Sequence, residues 1–241
     1  MRKSRQEAAE TRKRIVRAAA CKFREKGIDA TGLAELMKAA GLTHGGFYKH
    51  FASKDQLVAE ATAAALDNLL EGMAAYPTSN AAVAAYLSTR HRDNPASGCP
   101  LAALGSELAR SDKKARAAAT AGFVRLVGIL TGKADTAAAR RRALVAAATM
   151  IGAVTMSRVV TDPRLSAEIL RATENSLAAD HCRRSSMRKP NGFTRFERPG
   201  PCRRGLALPP PRQRPLIAIF RPEPSRTALR IPRGRRLLAY P

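Results

Sequence analysis

Apolar residues recur at three- and four-residue spacing along most of the first 180 residues, which is typical of helices that each bury one face. The central part of the chain lacks the strict alternation of apolar and polar residues that predicts a half-buried strand. The predicted fold class is therefore all-α. The longer predicted helices cover residues 5–26, 54–75, 79–90, 100–110, 112–132, 136–161 and 163–179.

Two shorter helices fill the interval 31–50 and are joined by a tight turn. Thr31 is placed to cap the first helix, and Gly41 supplies the positive φ that ends it. Leu42 then tucks into the angle between the helices, and Thr43 is placed to cap the second one. This arrangement predicts a helix-turn-helix, whose second helix is the candidate for contact with DNA.

The second short helix divides into apolar and polar positions. Phe47 and Phe51 lie four residues apart and can anchor the helix inward. The polar side chains left for contacts with phosphates and base edges are Thr43, His44, Tyr48 and Lys49. Gly45 and Gly46 cost about 1 kcal/mol each relative to alanine inside a helix. Either the helix backbone approaches DNA closely there, or the two glycines mark a loop.

The flanking helices are predicted to support this motif. The first ends at Gly27 and directs Ile15 and Phe23 toward the helix-turn-helix. Ser53 caps the helix that follows, and Lys54 lies in its first turn. A cation there is unfavourable against the helix dipole unless a phosphate lies opposite, which supports Lys54 as a phosphate contact.

The segment TRKRIVRAAACKFREKG, followed by A-G-L-T-x-G-G-F-Y-x-H-F-x-S-K-D-x-L, resembles the N-terminal domain of the tetracycline-repressor (TetR) family of bacterial transcriptional regulators. The resemblance covers about residues 10–58. It implies that the second helix of the motif enters the major groove of operator DNA. The phosphate contacts that it implies are Thr31, Tyr48 and Lys54. The groove-facing set is Thr43, His44, Gly45, Gly46 and Lys49, and His50 serves either role.

Charge is distributed unevenly along the chain, whose formal net charge is +24. Residues 1–54 carry 13 Lys/Arg against 5 Asp/Glu, residues 55–180 carry 14 against 12, and residues 181–241 carry 16 against 2. We predict a helix-turn-helix DNA-binding domain over 1–54 and a nearly neutral helical domain over 55–180. The resemblance implies that the second domain binds a small-molecule effector and forms a homodimer through its last two helices. From the residues alone, an intramolecular core explains those helices equally well.

The tail, residues 181–241, holds 11 of the 15 prolines and is predicted to be basic, Pro/Arg-rich and disordered. Two interpretations are open for it. It is a nonspecific electrostatic arm for DNA, or it comes from a shifted reading frame or an extended gene prediction. Arginine, proline and glycine without pattern favour the second interpretation.

The sequence does not identify the effector. Tyr76, Tyr86 and Phe123 are the only aromatic residues between 55 and 180, which argues against a pocket for large flat cations. Glu107 is expected to face water or to pair with Arg110 or Lys114 rather than to contact a ligand.

Cys99 is the candidate ligand or sensor residue. It precedes Pro100, a favoured first-turn residue, and therefore lies at a predicted helix N-terminus. That position lowers the pKa of a thiol and raises its reactivity toward electrophiles and oxidants. The alternative, which we favour, is that Cys99 is a small buried hydrophobic residue.

The sequence contains no motif typical of a catalytic, phosphate-binding or metal site. The chain has no G-x-S-x-G, phosphate loop or clustered carboxylates, and no Cys/His metal spacing, so we predict no catalytic residue, metal or cofactor. The 15 uncharged residues between Arg142 and Arg158 are too few for a membrane span. No secretory signal precedes residue 10, which predicts a cytoplasmic protein that associates with the nucleoid through DNA.

The predicted function is that of a sequence-specific DNA-binding transcriptional regulator rather than an enzyme. The form expected is a dimeric repressor of double-stranded operator DNA, released by a small-molecule effector or by thiol modification. The alternative is an architectural DNA-binding protein without sequence preference, driven by the basic head and tail.

Overall fold

The computed structural model describes residues 5–134 and 136–185. These residues form α-helices, two 3₁₀ helices and short connections, and no β-strand occurs among them, which confirms the all-α prediction. The α-helices are α1 (Arg5–Lys26), α2 (Leu33–Ala39), α3 (Lys54–Ala74), α4 (Ser79–Tyr86), α5 (Thr89–Asp93), α6 (Pro100–Arg110), α7 (Lys113–Thr131), α8 (Ala137–Val159) and α9 (Pro163–Ser185). The 3₁₀ helices are His44–Lys49, here called the recognition helix, and Pro95–Ser97.

Side-chain caps begin several of these helices. Ser53 Oγ accepts the backbone N–H of Gln56 at 3.1 Å, which confirms the predicted cap of α3. Asp112 caps α7 in the same way, and Asp162 accepts the N–H of Arg164 just before α9. The predicted cap of α2 is wrong, because Gly32 occupies the N-cap position and Thr31 makes no cap bond there.

Three predicted helices differ in the structure. The interval 79–90 contains two helices, because Ser88 Oγ accepts the N–H of His91 and starts α5. The second helix of the helix-turn-helix is a 3₁₀ helix. Its short run with two glycines favours this tighter form, which rarely exceeds a few residues. α9 continues to Ser185, beyond the predicted end at 179 and into the start of the predicted tail; residues 186–241 lie outside the described part of the chain.

The first of two hydrophobic cores lies beneath the helix-turn-helix. Its largest buried side chains are Ile15 and Phe23 of α1, Leu36 and Met37 of α2, Phe47, Phe51 and Leu57. Leu104 and Leu108 of α6 belong to the same core. The helix-turn-helix therefore shares its core with a helix of the body instead of packing by itself.

The second core lies among the remaining helices. It is formed by Leu66 and Leu70 of α3, Leu126 of α7, Met150 and Val154 of α8, and Leu170 of α9, among others. α3 contributes to both cores, since its first half buries Leu57 and its second half buries Leu66. All the described residues fall within one compact unit.

α8 is long and apolar enough, by length and composition alone, to cross a membrane. Its most apolar window has a mean hydropathy of 1.2, and 33% of that window is buried. One side of α8 places Ala147, Met150 and Val154 completely inside the second core, as expected of a core helix. The other side exposes Val145 and Val159, which are 64% and 65% exposed. The exposed side explains why so little of an apolar helix is buried within one chain.

Candidate nucleic-acid interface

The recognition helix is anchored from below by aromatic side chains. Phe47 is fully buried and its ring stacks on that of Phe51, with 5.6 Å between the centroids. Tyr48 meets the edge of Phe47 at 5.1 Å and remains 68% exposed. The inward anchoring predicted for Phe47 and Phe51 is confirmed. A large aromatic side chain with a free polar tip is thereby held at the surface.

The opposite side of the recognition helix faces solvent. The exposed members of the predicted contact set are Thr43, His44, Gly45, Tyr48 and Lys49. His50 is half-buried at the end of the helix. These residues supply hydroxyl, imidazole and ammonium groups, which suit phosphate oxygens and base edges.

The two adjacent glycines face different surroundings. A Cβ on Gly45 would meet nothing within 4 Å, so this position is open toward solvent. A Cβ on Gly46 would lie 3.4 Å from Cε of Met37 in α2. Gly46 therefore lies against the neighbouring helix, whereas Gly45 leaves the outer backbone of the recognition helix uncovered.

The structure separates Thr31 from this exposed set. Thr31 is fully buried, and its hydroxyl donates to the carbonyl oxygen of Gly27 at 2.6 Å. Lys54 is half-buried and donates from Nζ to the carbonyl oxygen of Ile28 at 2.6 Å. In this conformation both side chains stabilise the turn between α1 and α2. The ammonium of Lys54 has further N–H donors that a phosphate can use, but the hydroxyl of Thr31 is enclosed.

Arg12 of α1 fixes the far end of the recognition helix. Its Nε donates to the carbonyl oxygen of His50 at 3.3 Å, and its guanidinium lies 4.5 Å from the centroid of the Phe51 ring. The same guanidinium forms a two-point ion pair with Glu60 of α3. This contact could not be inferred from the sequence, because 38 and 48 residues separate Arg12 from its partners.

Glu107 joins the body to the turn that precedes the helix-turn-helix. Its Oε1 accepts the backbone N–H of Ile28 at 2.7 Å and that of Asp29 at 3.3 Å. Gly27 has φ +93°, and a Cβ there would lie 3.1 Å from the same oxygen. The expected solvent exposure of Glu107, or its pairing with Arg110 or Lys114, is therefore wrong. Arg24 adds a second link, because its Nε donates to the carbonyl oxygen of Ala96 at 2.9 Å.

Cys99 lies at the N-terminus of α6 as predicted, but it is completely buried. Burial raises the pKa of its thiol, although the neighbouring Tyr86 side chain and the first turn of α6 act in the opposite direction. A protonated and enclosed thiol is a poor nucleophile. This geometry favours the small buried hydrophobic residue over the reactive sensor.

The backbone beside Cys99 is held by His91. The N–H of Cys99 donates to Nε2 of His91 at 2.8 Å, so the neutral ring carries its proton on Nδ1, which donates to the carbonyl oxygen of Tyr86 at 2.6 Å. Burial lowers the pKa of His91. Among residues 5–134 and 136–185, no group of three or more His, Cys, Asp or Glu side chains is placed to hold a metal ion.

The family described as bacterial regulatory proteins, tetR family, matches residues 15–61. This segment contains α2, the recognition helix and parts of α1 and α3. The chain is 46% identical over 59 residues to the HTH-type transcriptional regulator AcrR of Shigella flexneri, and 41% identical over 71 residues to the HTH-type transcriptional regulator TtgR of Pseudomonas putida. Residues 15–61 therefore carry the N-terminal domain of tetR-family bacterial regulatory proteins.

The similarity to these two curated relatives covers only a part of each chain. It spans 24% of this chain and 27% of AcrR, and 30% of this chain and 32% of TtgR. The chain therefore matches less than a third of the length of the first and about a third of the second. What the rest of the chain binds does not follow from these two relatives.

Solved structures extend the likeness to 70% of this chain or more. A TetR transcriptional regulator from Chloroflexus aurantiacus is 27% identical, with a TM-score of 0.57, over 72% of this chain and 95% of that one. The reduced form of Escherichia coli NemR is 19% identical, with a TM-score of 0.59, over 70% of this chain and 95% of that one. The second likeness is one of fold alone.

Proposed function

We propose that the chain is a transcriptional repressor that recognises a specific double-stranded operator and is released from it by a small-molecule effector. The proposal rests on the recognition helix, which lies within the segment that matches the family. This helix exposes Tyr48 and Lys49 and buries Phe47. A rigid aromatic support with polar side chains on its outer face suits contact with a DNA groove. An ordered, shaped surface of this kind favours specific recognition over the architectural alternative.

We propose that residues 1–54 contact DNA and that residues 55–180 form the effector and dimerisation domain. The groove contacts are Thr43, His44, Gly45 and Lys49, with Gly46 beneath them. The phosphate contacts are Tyr48 and Lys54, with His50 in either role. We assign Thr31 to the support of the turn, because its hydroxyl is enclosed. A cytoplasmic location on the nucleoid follows from this function.

We propose a homodimer formed through α8 and α9. Val145, Met156 and Val159 expose an apolar face along α8, and Leu165 exposes another side chain on α9. Gly152 lies on the same helix, and a Cβ there would meet nothing within 4 Å. A second copy packed on this face would bury it and would present two recognition helices to one DNA face. Such a dimer requires an operator with inverted symmetry.

The dimer is tested by light scattering on the full-length protein. Met156→Glu with Val159→Glu places two carboxylates on the exposed side of α8 and is expected to give a monomer. Val124→Glu is the control, because Val124 is also exposed, at 48%, but lies on α7. A double variant that keeps the mass of the wild type would contradict the proposed interface.

The operator function is tested by fluorescence anisotropy with the full-length protein. The probes are the DNA that flanks its own gene and a shuffled version of it, each across a salt series. We expect a preference for the native fragment that persists as salt rises, and its loss in Tyr48→Ala. Tyr76→Ala is the matched control, because Tyr76 is 45% exposed and lies outside the helix-turn-helix. Equal binding to every genomic fragment and to shuffled DNA, with the same steep salt dependence, would contradict specific recognition.

A further inference from the structure

A cavity of about 680 Å³ lies in the body between α4, the end of α7, the first turns of α8 and the middle of α9. Cavities of several hundred cubic ångströms are the size that encloses a small organic ligand. Its wall is mostly aliphatic, with Val83 of α4, Leu130 of α7 and Val145 of α8 among a larger number of alanines. This wall suits a ligand whose chain or ring lacks polar groups along most of its length.

The charged part of the wall is predominantly positive. Arg141 and Arg142 both line the cavity from α8, and Glu174 is the one described carboxylate that faces them, from α9. Neither arginine belongs to an ion pair among the residues that the structure describes. Ser79 and Asn80 add neutral hydrogen-bond donors at the start of α4. This set of donors matches an anionic head group, which guanidinium groups bind through paired N–H donors.

The described lining contains no aromatic side chain. A flat cationic ligand would therefore find no ring to stack on, and it would meet two arginines of its own charge. An aliphatic ligand needs no ring, because it is held by apolar contact with Val83, Leu130 and the alanines. The size, the apolar wall and the charge of the cavity together favour an aliphatic ligand with an anionic group.

We propose that this cavity binds an amphipathic anion, an aliphatic chain that carries one carboxylate or phosphate head. The inference rests on the proposed ligand-responsive function and names the class of its effector. Arg141 and Arg142 hold the head, and the aliphatic wall holds the chain. The ligand would contact α4, α8 and α9 at once. α4 follows α3 after a short loop, and α3 reaches the helix-turn-helix.

The experiment is calorimetric titration of the full-length protein with four ten-carbon probes: decanoate, decyl phosphate, decylamine and decanol. We expect at least one of the two anions to bind about tenfold or more tightly than decylamine, with decanol between them. The comparison of decanoate with decyl phosphate identifies the preferred head. The four probes share one chain length, so that apolar burial is held constant.

Arg141→Ala with Arg142→Ala is expected to weaken binding of the preferred anion about tenfold and to leave decanol binding unchanged. Arg140→Ala is the matched control, because Arg140 is an exposed neighbour on the same helix that does not line the cavity. Ala146→Phe fills the cavity and is expected to weaken every probe. Circular dichroism confirms that each variant folds.

Three results overturn the proposal: decylamine binding as tightly as both anions, the double arginine variant binding like the wild type, or no binding of any probe. Operator binding is measured separately on the same samples. Anion binding in a protein that prefers no DNA would overturn the proposed repressor function and leave the ligand class intact. Specific DNA binding without anion binding would overturn the proposed ligand class and leave the proposed repressor function intact.

Discussion

The carboxylate of Glu107 accepts the backbone N–H of Ile28 at 2.7 Å, across 79 residues of sequence. α6 of the body and the turn before the helix-turn-helix are thereby joined by a charged acceptor that also approaches the N–H of Asp29. Gly27 permits the approach, since any side chain there would crowd the carboxylate. A change in the position of α6 is therefore felt at the start of the DNA-binding motif.

Removal of this acceptor should destabilise the turn. Glu107→Ala leaves two backbone N–H groups without their partner, and we expect a loss of about 1–3 kcal/mol in the free energy of unfolding, with weaker operator binding. Glu107→Gln keeps an acceptor oxygen and should lose less. Urea denaturation and DNA anisotropy measure both effects. Ser106→Ala is the control on the exposed side of α6, and equal stability of Glu107→Ala and this control would contradict the role of Glu107.

The two glycines of the recognition helix should respond differently to alanine. Gly45→Ala adds a methyl group to open space, so we expect unchanged or slightly higher stability but weaker operator binding, because the methyl group would obstruct close approach of DNA. Gly46→Ala brings the methyl group against Met37 and serves as the comparison for effects of packing. Thermal denaturation and anisotropy separate the two properties. Wild-type DNA affinity in Gly45→Ala would show that DNA does not approach this backbone.

A second pair of glycines, Gly122 and Gly128, lies on α7. A Cβ on Gly122 would come within 2.3 Å of Cδ1 of the buried Leu66, whereas one on Gly128 would meet nothing within 4 Å. Gly122→Ala should therefore lower the free energy of unfolding by about 1–3 kcal/mol, since the side chain and backbone of α3 must shift. Gly128→Ala should stabilise the helix by up to about 1 kcal/mol. If Gly122→Ala raised the melting temperature, or if the two variants shifted it equally, α3 and α7 would not pack closely at Gly122.

His91 should make the body sensitive to acid. Its pKa in the folded state lies below the ordinary value of 6.5, because burial opposes its charge. Above that value the ring is neutral in both states. As pH falls below about 6.5 the unfolded chain takes up a proton that the folded protein resists, so stability declines until the folded pKa is reached. Protonation of Nε2 also removes the acceptor of the Cys99 N–H.

The pH effect is measured as the melting temperature between pH 7.5 and 5. His91→Gln keeps a polar side chain that does not titrate, so its decline over this interval should be smaller than that of the wild type. Parallel curves for the two proteins would show that other groups cause the acid sensitivity.

Local chemistry made much of the fold predictable. Ser53 is followed by good helix formers, and the spacing of Phe47 and Phe51 defines an inner face, so both could be assigned from neighbouring residues. The Glu107 contact could not, because its partners are backbone N–H groups whose availability depends on the positive φ at Gly27. The predicted cap of α2 by Thr31 was wrong because it, too, depends on packing. Its hydroxyl could cap a helix or bond to the preceding turn, and only the packing of α1 against α2 decides between them.

Long-range packing also decides the surroundings of Cys99. A helix N-terminus lowers the pKa of a thiol, and complete burial raises it, yet the sequence reveals only the first effect. The cavity is likewise invisible in the sequence, since nothing near Arg141 and Arg142 along the chain shows that α4, α7 and α9 lie beside these exposed side chains.

α3 has the geometry of a lever. Its 21 residues form one unbroken rod of about 32 Å, with Leu57 seated below the recognition helix and Leu66 and Leu70 seated in the body. A tilt of about 5° around one end displaces the other by roughly 3 Å, which is as long as a hydrogen bond. A rearrangement in the body too small to disturb its core could thus carry the recognition helix out of register with its phosphates.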